Sequence, residues 1–309
     1  MMPEIAPKIY ESNIVGRGIC NGSFGELLQG VLPGNKKFLF NLKIQDRSSV
    51  TIELLSPSYS DEKESKYAQS YALYSKSYKI VRNIMGDLGR HDDYLIQVES
   101  TIPIGKGLSS STADMVASVK ALSHALRLAI KPEYISRMIT EIEPNDGLHF
   151  AGTSSYHHTT GELIANYPYI PPFSILGVDC GGLVDTVKFN QREIVWTAED
   201  MNAYEVLLKK LDMALLAQNV QEISDVATES TERWQKILPK TEYKAALNFM
   251  RNSGGIGLLN AHSGTYLGIL YERLDSKEME NILQAARKIF STNELRIFQT
   301  LNYAGEDGG

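Results

Sequence analysis

The segment Pro103-Ile104-Gly105-Lys106-Gly107-Leu108-Ser109-Ser110-Ser111-Thr112-Ala113 gathers small residues, hydroxyls and one cation between a strand pattern and a helix pattern. Small residues let the backbone approach a ligand closely. The start of a helix offers unpaired N–H groups and the positive end of a dipole, the ingredients of a phosphate site. Serine hydroxyls there could ligate Mg2+, a hard ion that prefers oxygen. Lys106 could set its charge against a phosphate. The chain contains no G-x-x-x-x-G-K-[ST], so this is not a Walker A loop, and it is not a Rossmann fingerprint. The plainer alternative is a glycine-serine turn followed by a serine-rich helix cap.

Other polar residues carry weaker signals. Adjacent residues rarely converge on one ion, so His157-His158 is read as a solvated loop. Asp179, Cys180 and Asp185 surround a Gly-Gly turn. Packing is the expected role of Cys180, because no activating His or Lys neighbours it in sequence. Pro144-Asn145-Asp146-Gly147 is an excellent turn sequence.

The elements that must position these groups alternate between strand and helix patterns, which argues for a mixed α/β or α+β fold. Ile14 to Cys20 reads as a strand and Asn21 to Glu26 as a glycine-rich turn. Val50 to Leu54 alternates like a half-buried strand. Tyr67, Tyr71, Tyr74, Tyr78, Val81, Met85 and Leu88 recur at helical spacing, as a packed face with hydroxyls at its edge, and Gly89 is a plausible stop. Tyr94 to Glu99 is a strand. The helix after the Gly/Ser loop carries Met115, Val119, Leu122 and Leu126 on one face, and Pro132 opens another that runs towards Glu141. Pro144 disfavours helix at Glu143.

Ile175 to Asp179 and Gly257 to Asn260 are short strands, and Thr265 to Tyr271 is another. Helical patterns cover Glu205 to Leu216, Ile223 to Trp234 and Thr241 to Met250. Asp275 with Glu278 marks a capping box for a helix reaching Ile289. Glu294 to Thr300 closes the set, and residues 305–309 read as a frayed tail.

Composition narrows the classes. The 309 residues are 43% hydrophobic and carry a formal net charge of −6, with no basic stripe of the kind that binds nucleic acid or an anionic membrane. Two cysteines, outside any C-x-x-C pair, argue against a disulfide scaffold or structural zinc. Residues 1–10 lack the apolar run of a signal peptide, and no segment approaches the ~20 apolar residues that span a bilayer. A cytoplasmic, reduced protein is expected.

Pro103-x-x-x-Gly107-Leu108-Ser109-Ser110-Ser111 resembles the P-x-x-x-G-L-G-S-S-A-A signature of the GHMP kinase superfamily, with Ser109 in place of one glycine. Within it the chain is most similar to the PduX-type L-threonine kinases of cobalamin biosynthesis. The stretches Gly22 to Gly30, Ser110-Ser111-Thr112-Ala113-Asp114 and Ile142-Glu143-Pro144-Asn145-Asp146 carry that likeness. Asn260-Ala261-His262-Ser263-Gly264-Thr265 looks like the third GHMP motif.

The resemblance implies a two-domain α+β fold, ribosomal-protein-S5-like over residues 1–165 and ferredoxin-like over 166–309. It implies ATP and Mg2+ as cofactors and a small alcohol, L-threonine first, as acceptor. Pro103, Gly105, Lys106, Gly107, Leu108, Ser109, Ser110, Ser111 and Thr112 would wrap the ATP phosphates. Ser110, Ser111 and Glu143 fall where the family holds Mg2+. Asp146 falls near a catalytic Asp, either as base or as a group that orients the hydroxyl. Ser23, Gly25 and Glu26 would border the acceptor, and His262, Ser263 and Gly264 would close over it. Glu26 could meet a substrate amino group or be a surface carboxylate. His262 could face substrate or bond locally in a turn. Homoserine, pantoate or a serine-like acceptor are rivals to L-threonine, as is a non-catalytic sensor on the same fold. The chain's partner is a small molecule, and a homodimer is compatible with the sequence.

Overall fold

The computed structural model describes residues 14–55, 70–182, 189 and 194–301. Expectations for residues 1–10, 56–65 and 305–309, and for Tyr67 and Asp185, lie outside the described residues.

Two long strands, β1 (Ile14–Leu32) and β2 (Lys36–Leu54), form an antiparallel hairpin at the centre. The glycine-rich stretch 21–26 is therefore not a turn. It lies inside β1, and register shifts between Asn21 and Ser23, Ser23 and Glu26, and Glu26 and Leu28 absorb the irregularity. Bulges of this kind re-aim side chains beside functional sites. Phe24, Leu27 and Leu28 are fully buried, and that apolar payload keeps the segment in the sheet.

Around the hairpin stand β3 (Tyr94–Ser100), β4 (Thr153–His157), β5 (Glu162–Tyr167), β6 (Phe173–Asp179), β7 (Gly257–Asn260), β8 (Tyr266–Glu272) and β9 (Glu294–Gln299). The sheet order is β5-β4-β2-β1-β7-β8-β6-β9, with β3 beside β2, and the pairings are antiparallel. A bridge between Ile44 and Thr300 brings the end of β9 back against β2. β1 meets β7 through the single register pair Glu26–Asn260, which carries the C-terminal hairpin to the bulged part of β1.

Seven helices are described: α1 (Ser75–Asp87), α2 (Ser110–Leu126), α3 (Pro132–Thr140), α4 (Ala198–Leu216), α5 (Val220–Trp234), α6 (Tyr243–Asn252) and α7 (Ser276–Arg287). The larger hydrophobic cluster joins β1, β2 and β3 to α1, α2, α3, α4 and α5, and a second cluster lies among β6, β8, α6 and α7. Helix α7 opens with the expected Asp275–Glu278 capping box. A second box, Thr197 with Asp200, opens α4 ahead of the start read at Glu205. In α1, Tyr78 stacks on Tyr94 at 5.5 Å and its hydroxyl accepts from the Ile96 amide at 3.0 Å, so this tyrosine packs as expected. None of the described helices is long and apolar enough to cross a membrane.

Helix α2 lies directly on β1 because glycines line the contact. A Cβ on Gly18 would sit 2.2 Å from the Ala117 carbonyl oxygen and 2.5 Å from the Ala121 amide nitrogen. Backbone atoms cannot yield as a side-chain tip can, so overpacking costs about 1–3 kcal/mol. Gly18→Ala is expected to lower unfolding stability by that amount, read as a lower urea midpoint at unchanged slope.

Candidate active site

The loop ahead of α2 is built as the sequence suggests, with one difference. Gly105 and Gly107 take left-handed backbone angles, and so does Ser109, at φ 60° and ψ 28°. Ser109 is the N-cap of α2, yet its side chain makes no cap hydrogen bond. The serine-rich-cap alternative is thereby overturned: the first turn, Ser110, Ser111 and Thr112, keeps its N–H groups free of a side-chain cap. Such donors and the helix dipole favour an anion. Leu108 is buried beneath the loop, while Pro103, Ser110 and Ser111 lie partly exposed above it.

The 143–147 turn faces that helix start. Asn145, fully buried, accepts from the Gly147 amide at 2.7 Å and donates to Ser136 Oγ at 3.0 Å. Asn145 therefore carries the turn chemistry, which releases Asp146 for another task. Asn41 of β2, also buried, fastens the turn by donating to the Gly147 carbonyl at 3.1 Å. Thr112 donates to Asp146 Oδ2 at 2.9 Å.

Three carboxylates crowd this corner. Burial, then the charge of Glu143, raises Asp146 to about 6, against the hydrogen bond from Thr112, the nearby Ser109 hydroxyl and the charge of Lys76. Asp114 also rises to about 6, through burial and Glu143, although Ser48 donates to it at 2.6 Å. Glu143 pairs with Lys76 at 2.5 Å, and its Oε1 is buried without a partner. Oxygen donors, an orphaned carboxylate oxygen and mutual repulsion fit a hard divalent cation. Among the described residues no three His, Cys, Asp or Glu form a metal cage, so any ion here would take further ligands from hydroxyls, water or phosphate.

Residues from the C-terminal part complete the cleft. Glu26 is 4% exposed, so the surface-carboxylate alternative fails. It accepts from the His262 amide at 3.0 Å, and burial and then Asp146 push its carboxyl well above the usual range. His262 bonds through Nδ1 to Gln29 at 2.7 Å and packs on Trp234 with ring centroids 4.8 Å apart. Burial holds this imidazole neutral, well below its ordinary range. His158 is buried 5.3 Å from the His262 ring, which corrects the solvated-loop expectation, and His157 ends β4. Tyr156 is fully buried with an unpartnered hydroxyl that feels both Asp146 and Glu26.

Two loops touch backbone to backbone above the cleft. A Cβ on Gly264 would fall 2.1 Å from the Lys106 carbonyl oxygen, and one on Gly107 would fall 2.5 Å from Gly264 Cα. The Thr265 amide donates to the Lys106 carbonyl at 3.2 Å. Lys106 Nζ does not project freely: it pairs with Asp179 at 2.5 Å. Buried Lys240 donates to the Gly264 carbonyl at 2.7 Å, and burial lowers its ammonium to about 8. Ser263 is half-exposed between these anchors. Gly25, left-handed at φ 54°, lets β1 approach Asn260, whose carbonyl oxygen would be 2.6 Å from a Cβ. Burial pushes the Cys180 thiol up, in keeping with a packing role.

Sequence reasoning passed over Asn41, Lys76, Asp114, Tyr156, Trp234 and Lys240. Asn41 had a readable signal, a lone polar residue within the apolar run 38–42. Tyr156 had none, since only the fold aims its hydroxyl at two distant carboxylates.

Residues 73–152, which hold the phosphate-loop candidate and the 143–147 turn, match the GHMP kinases N terminal domain. Over that stretch the chain is similar to the GHMP kinases. It is 25% identical to an L-threonine kinase of Salmonella typhimurium over 82% of both chains. It is also 25% identical to one of Citrobacter freundii, over 82% of this chain and 85% of that one. Its fold superposes on homoserine kinase from Cytophaga hutchinsonii with a TM-score of 0.69, at 12% identity, over 96% of this chain and 97% of that one. The protein is an ATP-dependent phosphotransferase with an alcohol group as acceptor.

The glycine contact over the cleft makes a direct demand. Gly264→Ala must part the two loops at a cost of about 1–3 kcal/mol, and ~1.4 kcal/mol of that taken from binding is a tenfold loss. A fluorescence titration with MgATP should show affinity down about tenfold while circular dichroism still reports a folded chain.

Proposed function

We propose that this kinase transfers the γ-phosphoryl group of ATP to the side-chain hydroxyl of L-threonine, giving O-phospho-L-threonine and ADP. The observation that carries the reading is the bond of Asp146, on a pinned turn, to Thr112 at the uncapped start of α2, with the Glu143 carboxylate three residues away on the same turn and close enough to act on Asp146. The curated L-threonine kinases that align over most of the chain support the acceptor. Glu26 supports it too, since a buried carboxylate without a full counter-charge suits an α-ammonium group. The division of labour we propose falls near residue 165, with the phosphate loop before it and the closing loop after it. The two cysteines are free, which suits a reducing compartment, and we place the enzyme in the cytoplasm.

The residues act by positioning and charge neutralisation, which is most of what phosphoryl transfer asks of a protein. The N–H groups of Ser110, Ser111 and Thr112 receive phosphate oxygens, and Gly105 to Ser109 let the backbone close on them. Ser110, Ser111 and Glu143 would hold Mg2+, which when bound screens the charge on the phosphates. Asp146 accepts the hydrogen of the acceptor hydroxyl and orients it, since a loose transition state needs no strong base. Glu26 holds the ammonium end. Gly264 and His262 keep water from the cleft, and Lys106 stands beside the phosphates on its Asp179 anchor.

ADP release from MgATP, with L-threonine, L-serine, L-homoserine and pantoate tested separately, decides the acceptor. Selective stimulation by L-threonine is expected, and stimulation only by pantoate, which has no ammonium group, would refute the role of Glu26. Ser110→Ala and Glu143→Ala should each lower kcat/KM at least ~100-fold, the scale of one lost charge-stabilising group. Near-normal turnover in either would remove that residue from the Mg2+ assignment. Asp146 works ionised, so activity should climb as pH rises through about 6, and Asp146→Asn should be slower and lack that limb.

A further inference from the structure

Lys106 is bonded at both ends, and both bonds leave its own loop. Its carbonyl accepts from the Thr265 amide at 3.2 Å, and its ammonium meets an Asp179 carboxylate oxygen at 2.5 Å. The two partners are themselves joined, because the Thr265 carbonyl accepts from the amide of Cys180, the residue after Asp179, at 3.0 Å. The bonds therefore run in a closed ring, from Lys106 to the end of β6, from there to the 261–265 loop, and back to Lys106. Asp179 is also fixed from outside this ring. Its other carboxylate oxygen accepts from the Gly181 amide at 3.0 Å, and its carbonyl accepts from Asn293 Nδ2 at 2.9 Å. A buried carboxylate is tolerated only when paired and hydrogen-bonded, and Lys106 supplies the pair. An ammonium held in this way has its charge offset where it stands, and a phosphate would have to draw it off a fixed carboxylate.

We propose that Asp179 is a positioning residue for nucleotide binding: by holding the Lys106 ammonium it closes the ring and sets the 103–112 loop in the place that phosphates meet. The inference rests on the phosphate-binding role given to the loop and the start of α2. Lys106 then serves as a tether, and the amides of Ser110, Ser111 and Thr112 do the receiving. The gain is preorganisation. A glycine-rich loop that must be ordered when its ligand binds takes that cost out of the affinity. Little within the loop's crest can hold it, since Gly105 and Gly107 have no side chains and Ile104 is exposed. The Thr265 bond alone would leave the crest free to pivot about one point. The ammonium–carboxylate contact adds a second point, out at the end of the lysine side chain, and so fixes rotation as well as position.

The test measures the affinity of full-length wild type, Lys106→Met, Asp179→Asn and the double variant for MgATP and for adenosine by fluorescence titration, with melting temperatures alongside. Adenosine has no phosphate and reports on the rest of the nucleotide site. Each single variant should bind MgATP about tenfold more weakly, the scale of ordering a short segment at binding, and adenosine with wild-type affinity. The double variant should bind MgATP no more weakly than either single, since both substitutions open the same ring. Its melting temperature should recover part of what the singles lose, because no charge of the pair is left without its partner. Stability and MgATP affinity thus separate in the double variant, which a merely structural pair would not show. Wild-type MgATP affinity in Asp179→Asn would overturn the proposal. So would a loss in Lys106→Met far beyond that in Asp179→Asn, which would make Lys106 a direct phosphate ligand, or equal losses for MgATP and adenosine, which would make the pair structural. A wild type that binds MgATP no better than adenosine would instead overturn the phosphate role of the loop, and this inference with it.

Discussion

The cleft depends on a contact with no side chain in it. Gly107 and Gly264 meet at a separation that a single methyl group would violate. Their backbones can approach only because β7 meets β1 at Glu26–Asn260 and delivers the 261–265 loop beside the bulges of β1. Interiors packed to this density transmit displacement rather than absorb it. A shift in β7 would therefore reach the 103–112 loop through Lys106, whose carbonyl receives Thr265 and whose ammonium is tied to Asp179. The loop's position is thus set by residues more than 70 positions away along the chain, while its shape is set locally by its glycines.

That geometry explains the charge pattern inside. Asp114, Glu143, Asp146 and Glu26 are brought close enough that burial and mutual repulsion raise three of them. Burying like charges together is unfavourable unless something offsets it. Lys76 covers one oxygen of Glu143 and Lys240 acts on Glu26 from a distance, and neither neutralises the group as a whole. A metal ion, phosphates with their counter-charge and an ammonium-bearing acceptor are the kinds of ligand that would. The free cleft is electrostatically costly in the sense that suits binding: its repulsion is relieved only when cations enter.

Much of this was legible in the residues. The Gly/Ser loop, the I-E-P-N-D turn and the Asn260–Thr265 stretch each combine a local backbone demand with polar side chains, so their pattern is readable without the fold, and the structure brings them to one cleft. Capping chemistry marked the start of α7 for the same reason. What failed was non-local. Residues 21–26 have the letters of a turn, and they stay in a strand because Phe24, Leu27 and Leu28 are worth more buried than the glycines cost. His158 read as part of a solvated loop and Glu26 was open between a substrate contact and a surface carboxylate, since no local signal records that the fold buries both. Strands β4 and β5 are short and polar in sequence, and they pair because β2 offers an open edge.

Ser109 stands between these two cases. Its type was visible as an exception to a glycine position, but the exception has meaning only with the backbone angle and the neighbours in view. A serine that capped the helix would have been a local device, interchangeable with threonine, asparagine or aspartate. The hydroxyl lies 2.6 Å from Ser23 Oγ on β1 instead, so it joins segments distant in sequence. Giving up the cap leaves the first-turn amides of α2 without a side-chain partner, the state in which a helix start can receive an anion.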